Sequence, residues 1–364
     1  MATGGIAMMM ALGARACGRD GALHPAEQDS AGCKILEINL IDFCEMPYKL
    51  VDGRDGLVRN KPKVRKQKKG TNIMYSVRPC SENPMLILFT LDGSGSMSKT
   101  MPASGMKKCD VLATVVNKTL RELCIASARE KVKHYFDIAV LRYSEDKVDN
   151  AFAGIPALEE KMVNSIVDIE ANPLRVEIRK KKRFAPTGDV FEEEVPFPVW
   201  IEPHANGGTP MCAALQSANE IIATWVASHP AAHPPIVINV TDGVATDGTD
   251  KDLEGLASII KALSTSDGAT LLMNLHISSG NGAMPINYAS SEDGIANPKA
   301  RLLWRMSSEI PGEILPAVNL ALGDTAVQSS SRFVTFNGTE VDIAKFIEVG
   351  TRATVPALTY NPEM

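Results

Sequence analysis

Two apolar runs, Met85-Leu-Ile-Leu-Phe-Thr-Leu91 and Ile236-Val-Ile-Asn-Val-Thr241, constrain the fold of this chain most. A strand with one face in water alternates apolar and polar residues. A run without that alternation suits a strand of a parallel sheet covered on both faces. The intervening sequence has helical spacing: Val111, Leu112, Val115, Val116, Leu120 and Leu123 line one face of a helix. Phe136–Leu141 and Thr270–Ile277 read as further strands, Ala151–Ile155 as a short edge strand and Arg332–Phe336 as the last strand. Met211–Val226, Leu253–Leu263 and Arg301–Ile310 read as helices, and Thr339 as the N-cap of a closing helix with Asp342 three residues on. Strands alternating with helices predict a doubly wound α/β domain, a mostly parallel sheet with helices on both faces.

This pattern occupies residues 83–350, leaving a tail at 1–33, an appendage at 34–82 and a second tail at 351–364. In the appendage, Ile35–Phe43 and residues 71–77 alternate as β-strands do. An insertion at 156–205 breaks the α/β rhythm. Its strand-like pieces, Leu174–Ile178 and Val195–Ile201, predict an inserted β-hairpin lobe, with Arg179-Lys-Lys-Lys-Arg183 and Glu192-Glu-Glu194 between them.

Composition removes several classes of function. A net charge of −5 over 364 residues gives no global attraction to nucleic acid or anionic membrane, and 5% aromatic content argues against base-stacking platforms. Seven cysteines, an odd number with no CxxC pair, predict free thiols in a reducing compartment. No apolar run approaches the ~18–20 residues needed to span a bilayer. The run at Met8–Leu12 lacks a basic segment before it, and Arg15 stands where a leader cleavage site wants small residues. These features predict a cytoplasmic protein with no membrane contact.

In an open parallel sheet, ligands bind beyond the carboxyl ends of the strands, where strand order reverses. Three segments lie at such ends. Asp92-Gly-Ser94-Gly-Ser96-Met97 follows the first run, Gly207-Gly-Thr209-Pro-Met211 precedes a helix, and Asp242-Gly243 follows the second run. Their hydroxyl and carboxylate oxygens suit a hard divalent cation, and the glycines let the first loop turn tightly. Asp247 and Asp250, nearby in sequence, read as surface carboxylates that tune local charge.

These residues resemble the metal-ion-dependent adhesion site of the von Willebrand factor A (vWA) family: DxSxS, a threonine in a loop before a helix, and an aspartate after a later strand. The resemblance covers most of 83–350, with Asp92, Ser94, Ser96, Thr209 and Asp242 in the family's order. It implies that Ser94 and Ser96 ligate Mg2+ directly, Thr209 directly or through water, and Asp92 and Asp242 through bridging waters, with Mn2+ or Ca2+ as alternatives. A partner protein's Asp or Glu would complete the coordination sphere, making the domain a Mg2+-dependent protein–protein interaction module rather than an enzyme. The stand-alone form is similar to bacterial proteins of stress-response or defence systems, whose partners include kinases, phosphatases and AAA+ ATPase subunits.

Two alternatives compete. Gly93–Thr100 is one residue from a phosphate-binding loop, which would make the 92–100 loop part of a metal-dependent NTPase or hydrolase. That motif needs glycine immediately before its lysine, and Ser98 stands there. The basic runs Arg59–Lys69 and Arg179–Arg183 could contact nucleic-acid phosphates as a scaffold; solvated loops are the favoured reading.

Overall fold

The computed structural model describes residues 74–102, 104–128, 131–184, 190–277, 284–323 and 327–353. The tail at 1–33, the strand expected at Ile35–Phe43 and the basic run Arg59–Lys69 lie outside the described residues, as do Cys17, Cys33 and Cys44.

β1 (Met85–Asp92) is buried along its whole length and leads through a 3-10 turn (Gly95–Ser98) to α1 (Lys108–Ser127). Next come β2 (Phe136–Ser144), β3 (Lys147–Asn150), a short α2 (Pro156–Glu159), β4 (Asn164–Ser165) and α3 (Ile166–Ala171). β5 (Arg175–Phe184) and β6 (Val190–Val199) form a separate hairpin, after which α4 (Met211–Ser228) leads to β7 (Ile236–Thr241). α5 (Asp250–Ala262), the short pair β8 (Ser264–Thr265) and β9 (Gly268–Ala269), and β10 (Leu271–Ile277) follow. The chain continues through β11 (Ile286–Asn287), α6 (Pro298–Met306), α7 (Leu315–Leu322), β12 (Val334–Gly338) and α8 (Glu340–Glu348).

The main sheet has the order β11-β12-β10-β7-β1-β2-β3, with β4 pairing β2. β12, β10, β7, β1 and β2 run parallel, while β3, β4 and β11 are antiparallel. Side chains of β1 explain its unbroken apolar run. Leu86 and Leu88 pack under α4, α5 and α6, whereas Ile87, Phe89 and Leu91 pack under α1, α7 and α8. Each face of the strand sits in its own core. The polar exceptions are matched to one another: Thr90 donates to Asn239 Oδ1 at 2.8 Å, and Asn239 Nδ2 donates to Asn274 Oδ1 at 3.0 Å, across three strands in register. Buried polar atoms satisfied in this way cost little and pin the register.

Several expectations are corrected. Ala151–Ile155 is a turn, not an edge strand; the edge is β3, because the Glu145-Asp146 turn brings the chain straight back along β2. The described part of 71–77 is irregular. Tyr75 is buried with φ 55°, and the Asp267 carboxylate accepts from the amides of Ser76 (3.0 Å) and Val77 (2.9 Å), hydrogens a strand would give to a neighbour. The helix expected at Arg301–Ile310 begins earlier, at Pro298, because Asn297 accepts from the amides of Lys299 and Ala300 and so caps it. The hairpin is present, but the charged runs lie within its strands rather than between them. Lys180, Lys181 and Lys182 face Glu194, Glu193 and Glu192 in register. Opposite charges across an exposed ladder stabilise it, so the strands need no apolar alternation.

Candidate functional site at the carboxyl edge of the sheet

β1 lies between β7 and β2, and the order of strand addition reverses there. Asp92 ends β1 and Asp242 follows β7, so the two carboxylates flank the crevice at that reversal. Both are buried, at 2% and 8% exposure. Asp92 organises the backbone. Its Oδ1 accepts from the Ser94 amide at 2.8 Å, and its Oδ2 accepts from Thr241 Oγ1 at 2.8 Å and from the Asp242 amide at 3.3 Å. Burial raises the Asp92 carboxyl above the ordinary range, the Ser94 hydrogen bonds pull it back, and the nearby Asp242 raises it again.

The serines of the first loop face Asp242. Ser94 Oγ and Ser96 Oγ are 3.0 Å apart, and Ser96 Oγ donates to Asp242 Oδ1 at 2.5 Å. The 3-10 turn carrying Ser96 is anchored by Met97, which is fully buried. The third segment is stitched to the first: the Gly95 amide donates to the Gly207 carbonyl at 2.9 Å, and the Asn206 amide to the Gly93 carbonyl at 2.7 Å. Thr209 is buried, and its Oγ1 lies 3.5 Å from where a Cβ on Gly243 would stand. The structure therefore brings Asp92, Ser94, Ser96, Thr209 and Asp242 into one cluster of loops.

This donor set fits a hard cation by its chemistry and spacing. Neighbouring oxygens in an octahedron around Mg2+ at 2.0–2.1 Å are about 2.8–3.0 Å apart, and the two serine hydroxyls, 3.0 Å apart, lie at the upper end of that range. Among the described residues no group of three or more His, Cys, Asp and Glu side chains is arranged to hold a metal ion. Any cation here would rest on hydroxyls and two carboxylates, the oxygen-rich set that magnesium accepts.

Residues that sequence reasoning missed complete the site. Lys108, the first residue of α1, is fully buried and its Nζ donates to Asp242 Oδ2 at 2.8 Å. Thr246 grips Thr209 from both sides: its Oγ1 accepts from the Thr209 amide and its own amide donates to the Thr209 carbonyl, each at 3.0 Å. Asp247, expected to be a surface carboxylate, is exposed but caps α4 by accepting from the amides of Cys212 (3.1 Å) and Ala213 (2.8 Å). On the other flank, Arg142 and His204 pack so closely on Gly93 that a Cβ there would meet His204 Cδ2 at 2.9 Å. Arg142 Nε and His204 Nε2 are buried with no hydrogen-bond partner among the described residues. Burial lowers the pKa of both groups, and Arg142 lowers that of His204 further. Spacing offered no signal for Lys108, since Lys107 beside it is exposed.

The near-miss phosphate loop has a different form. A nucleotide loop runs directly into its helix, whereas α1 begins only at Lys108, and Ser98, in the place of the required glycine, donates to the Gly95 carbonyl at 2.7 Å. No helix among the described residues is long and apolar enough to cross a membrane. Among the described residues Cys80, Cys109, Cys124 and Cys212 form no disulfide.

No family model matches the chain, and no curated protein does. Among solved structures the chain is similar over 54% of its length to a von Willebrand factor type A protein from Catenulispora acidiphila, at 15% identity and a TM-score of 0.31, covering 34% of that chain. It is similar over 77% of its length to the pilus adhesin SpaC from Lactobacillus rhamnosus GG, at 12% identity and a TM-score of 0.40, covering 31% of that chain. The minor pilin PilB from Streptococcus sanguinis matches over 75%, at 10% identity and a TM-score of 0.35, with 61% of its own chain covered. This chain thus spans less than two thirds of each. The fold itself is a mostly parallel sheet with helices on both faces and added antiparallel hairpins.

Proposed function

We propose that the chain is a protein-interaction module whose contact is made through a divalent cation, Mg2+ first, held by Ser94, Ser96 and Thr209 and steadied by Asp92 and Asp242. The observation that carries this reading is the convergence of five oxygen-bearing side chains, from three separated segments, at the point where strand order reverses. When bound, the cation supplies an electrophilic position able to accept a carboxylate from outside. The chain's own residues do the rest. Asp92 fixes the Ser94 loop through the backbone, Thr246 and Asp247 fix the Thr209 loop, and Met97 keeps Ser96 facing Asp242.

The partner in this reading presents an exposed Asp or Glu; within the family resemblance, a kinase, phosphatase or AAA+ ATPase subunit of a stress-response or defence assembly fits that description. The hairpin supports a protein partner over nucleic acid, because each lysine of the central basic run faces a glutamate and the field they project is largely cancelled.

The test is direct titration of Mg2+ by calorimetry, followed by capture of partners with Mg2+ or with EDTA. Ser94→Ala and Ser96→Ala are suitable variants. Asp242→Ala is not, since it strands a buried ammonium at a cost of about 3–5 kcal/mol. Wild type should bind one Mg2+, and each serine variant should lose about tenfold or more in affinity. Wild-type protein that takes up no Mg2+ ends the proposal.

A further inference from the structure

Lys108 is placed against every local preference. It stands in the first turn of α1, where the helix amides already contribute positive partial charge, and it is fully buried while its neighbour Lys107 is exposed. Burying an ammonium is costly, and an apolar side chain of similar size would fill the position more simply. What the lysine makes instead is a 2.8 Å contact to Asp242 Oδ2, with both side chains at 0% exposure. Asp242 Oδ1 accepts from Ser96, whose Oγ is 3.0 Å from Ser94 Oγ. An unbroken chain of polar contacts thus runs from the ammonium into the donor set. Rules broken at one buried position commonly mark function.

We propose that Lys108 sets the cation affinity of the site by acting as a built-in rival to the divalent ion, an inference that rests on the metal-binding reading above. Its charge offsets one of the two buried carboxylates, so the donor set stays assembled without metal. The same charge opposes an incoming cation and weakens its hold, so occupancy responds to changes in free Mg2+ instead of being permanent. Because coupling is reciprocal, bound metal loosens the Lys108–Asp242 contact by the same factor as that contact weakens the metal.

The experiment is calorimetric titration of the full chain with Mg2+ alone, for wild type, Lys108→Met and Lys108→Gln, with urea denaturation of each in Mg2+ and in EDTA. Lys108→Gln keeps a hydrogen-bond donor toward Asp242 without the charge. Removing the charge should tighten Mg2+ binding by about 5- to 150-fold, and the metal-free variants should be less stable than wild type, with the deficit shrinking in Mg2+. Variants that fold only when Mg2+ is present also support the proposal. Unchanged or weaker Mg2+ binding in a folded Lys108→Gln overturns it, as does failure of both variants to fold with or without the ion, which makes the lysine purely structural. If wild type and variants alike bind no Mg2+, the metal-binding reading itself has failed, a result distinct from binding that ignores Lys108.

Discussion

Gly207 carries a constraint that no side chain can meet. Its φ of 67° lies in the left-handed region, and a Cβ there would come within 2.6 Å of Glu145 Cα, a backbone atom that cannot swing away. Its carbonyl accepts the Gly95 amide, so the same residue clamps the Thr209 loop to the serine loop. Asn206 Nδ2 donates to Glu145 Oε1 at 2.5 Å and tightens that clamp. Gly207→Ala should therefore lower unfolding free energy by about 1–3 kcal/mol, read by urea denaturation. It should also weaken Mg2+ binding, because the two loops would part. Loss of stability with unaltered Mg2+ affinity would show that the Thr209 loop contributes nothing to holding the ion.

At the scale of elements, α1 does more than cover the sheet. Asn117, 2% exposed, reaches across to the segment just after the hairpin: its Oδ1 accepts from the amides of Trp200 (2.8 Å) and Ile201 (3.0 Å), and its Nδ2 donates to the Ile201 carbonyl at 2.9 Å. Trp200 is buried and donates its indole N–H to the Ile169 carbonyl at 2.7 Å. The hairpin is thus tethered at its base while its outer part stands in solvent. Asn117→Leu would strand three buried backbone groups, each worth about 1–3 kcal/mol, so loss of cooperative unfolding, or a much lower urea midpoint, is expected. A midpoint near that of wild type would mean that water replaces the side chain.

The same elements show what a sequence discloses. β1 and β7 were legible because burial on both faces forces an apolar run, and α8 because Thr339 and Asp342 form a reciprocal capping box. α7 was not, since the eight residues Leu315–Leu322, apolar except for Asn319, offer too little periodicity to separate helix from strand. The positions of Asp92, Ser94, Ser96, Thr209 and Asp242 at strand ends and before α4 could be read from motif order. Lys108 and Thr246 could not, because their roles arise from contacts made across 134 and 37 residues of sequence.

The whole molecule is closed by its site. β1, β7 and the loop before α4 are distant in sequence, yet their ends meet at Asp92, Asp242 and Thr209, so a ligand gripping all three opposes their separation. Binding to the folded state alone adds about 2.7 kcal/mol of stability at a ligand concentration of about 100 Kd. At about 2–4 °C per kcal/mol for domains of roughly 150–250 residues, Mg2+ should raise Tm by several degrees and continue to raise it logarithmically with concentration. Ser96→Ala, which removes a donor oxygen while leaving the Lys108–Asp242 pair in place, should flatten that dependence without lowering the metal-free Tm by a comparable amount. Scanning calorimetry across a Mg2+ series distinguishes the outcomes. A Tm that climbs equally in both proteins places the stabilising ion elsewhere on the molecule, and one that climbs only in wild type ties the cation to the junction of these three segments.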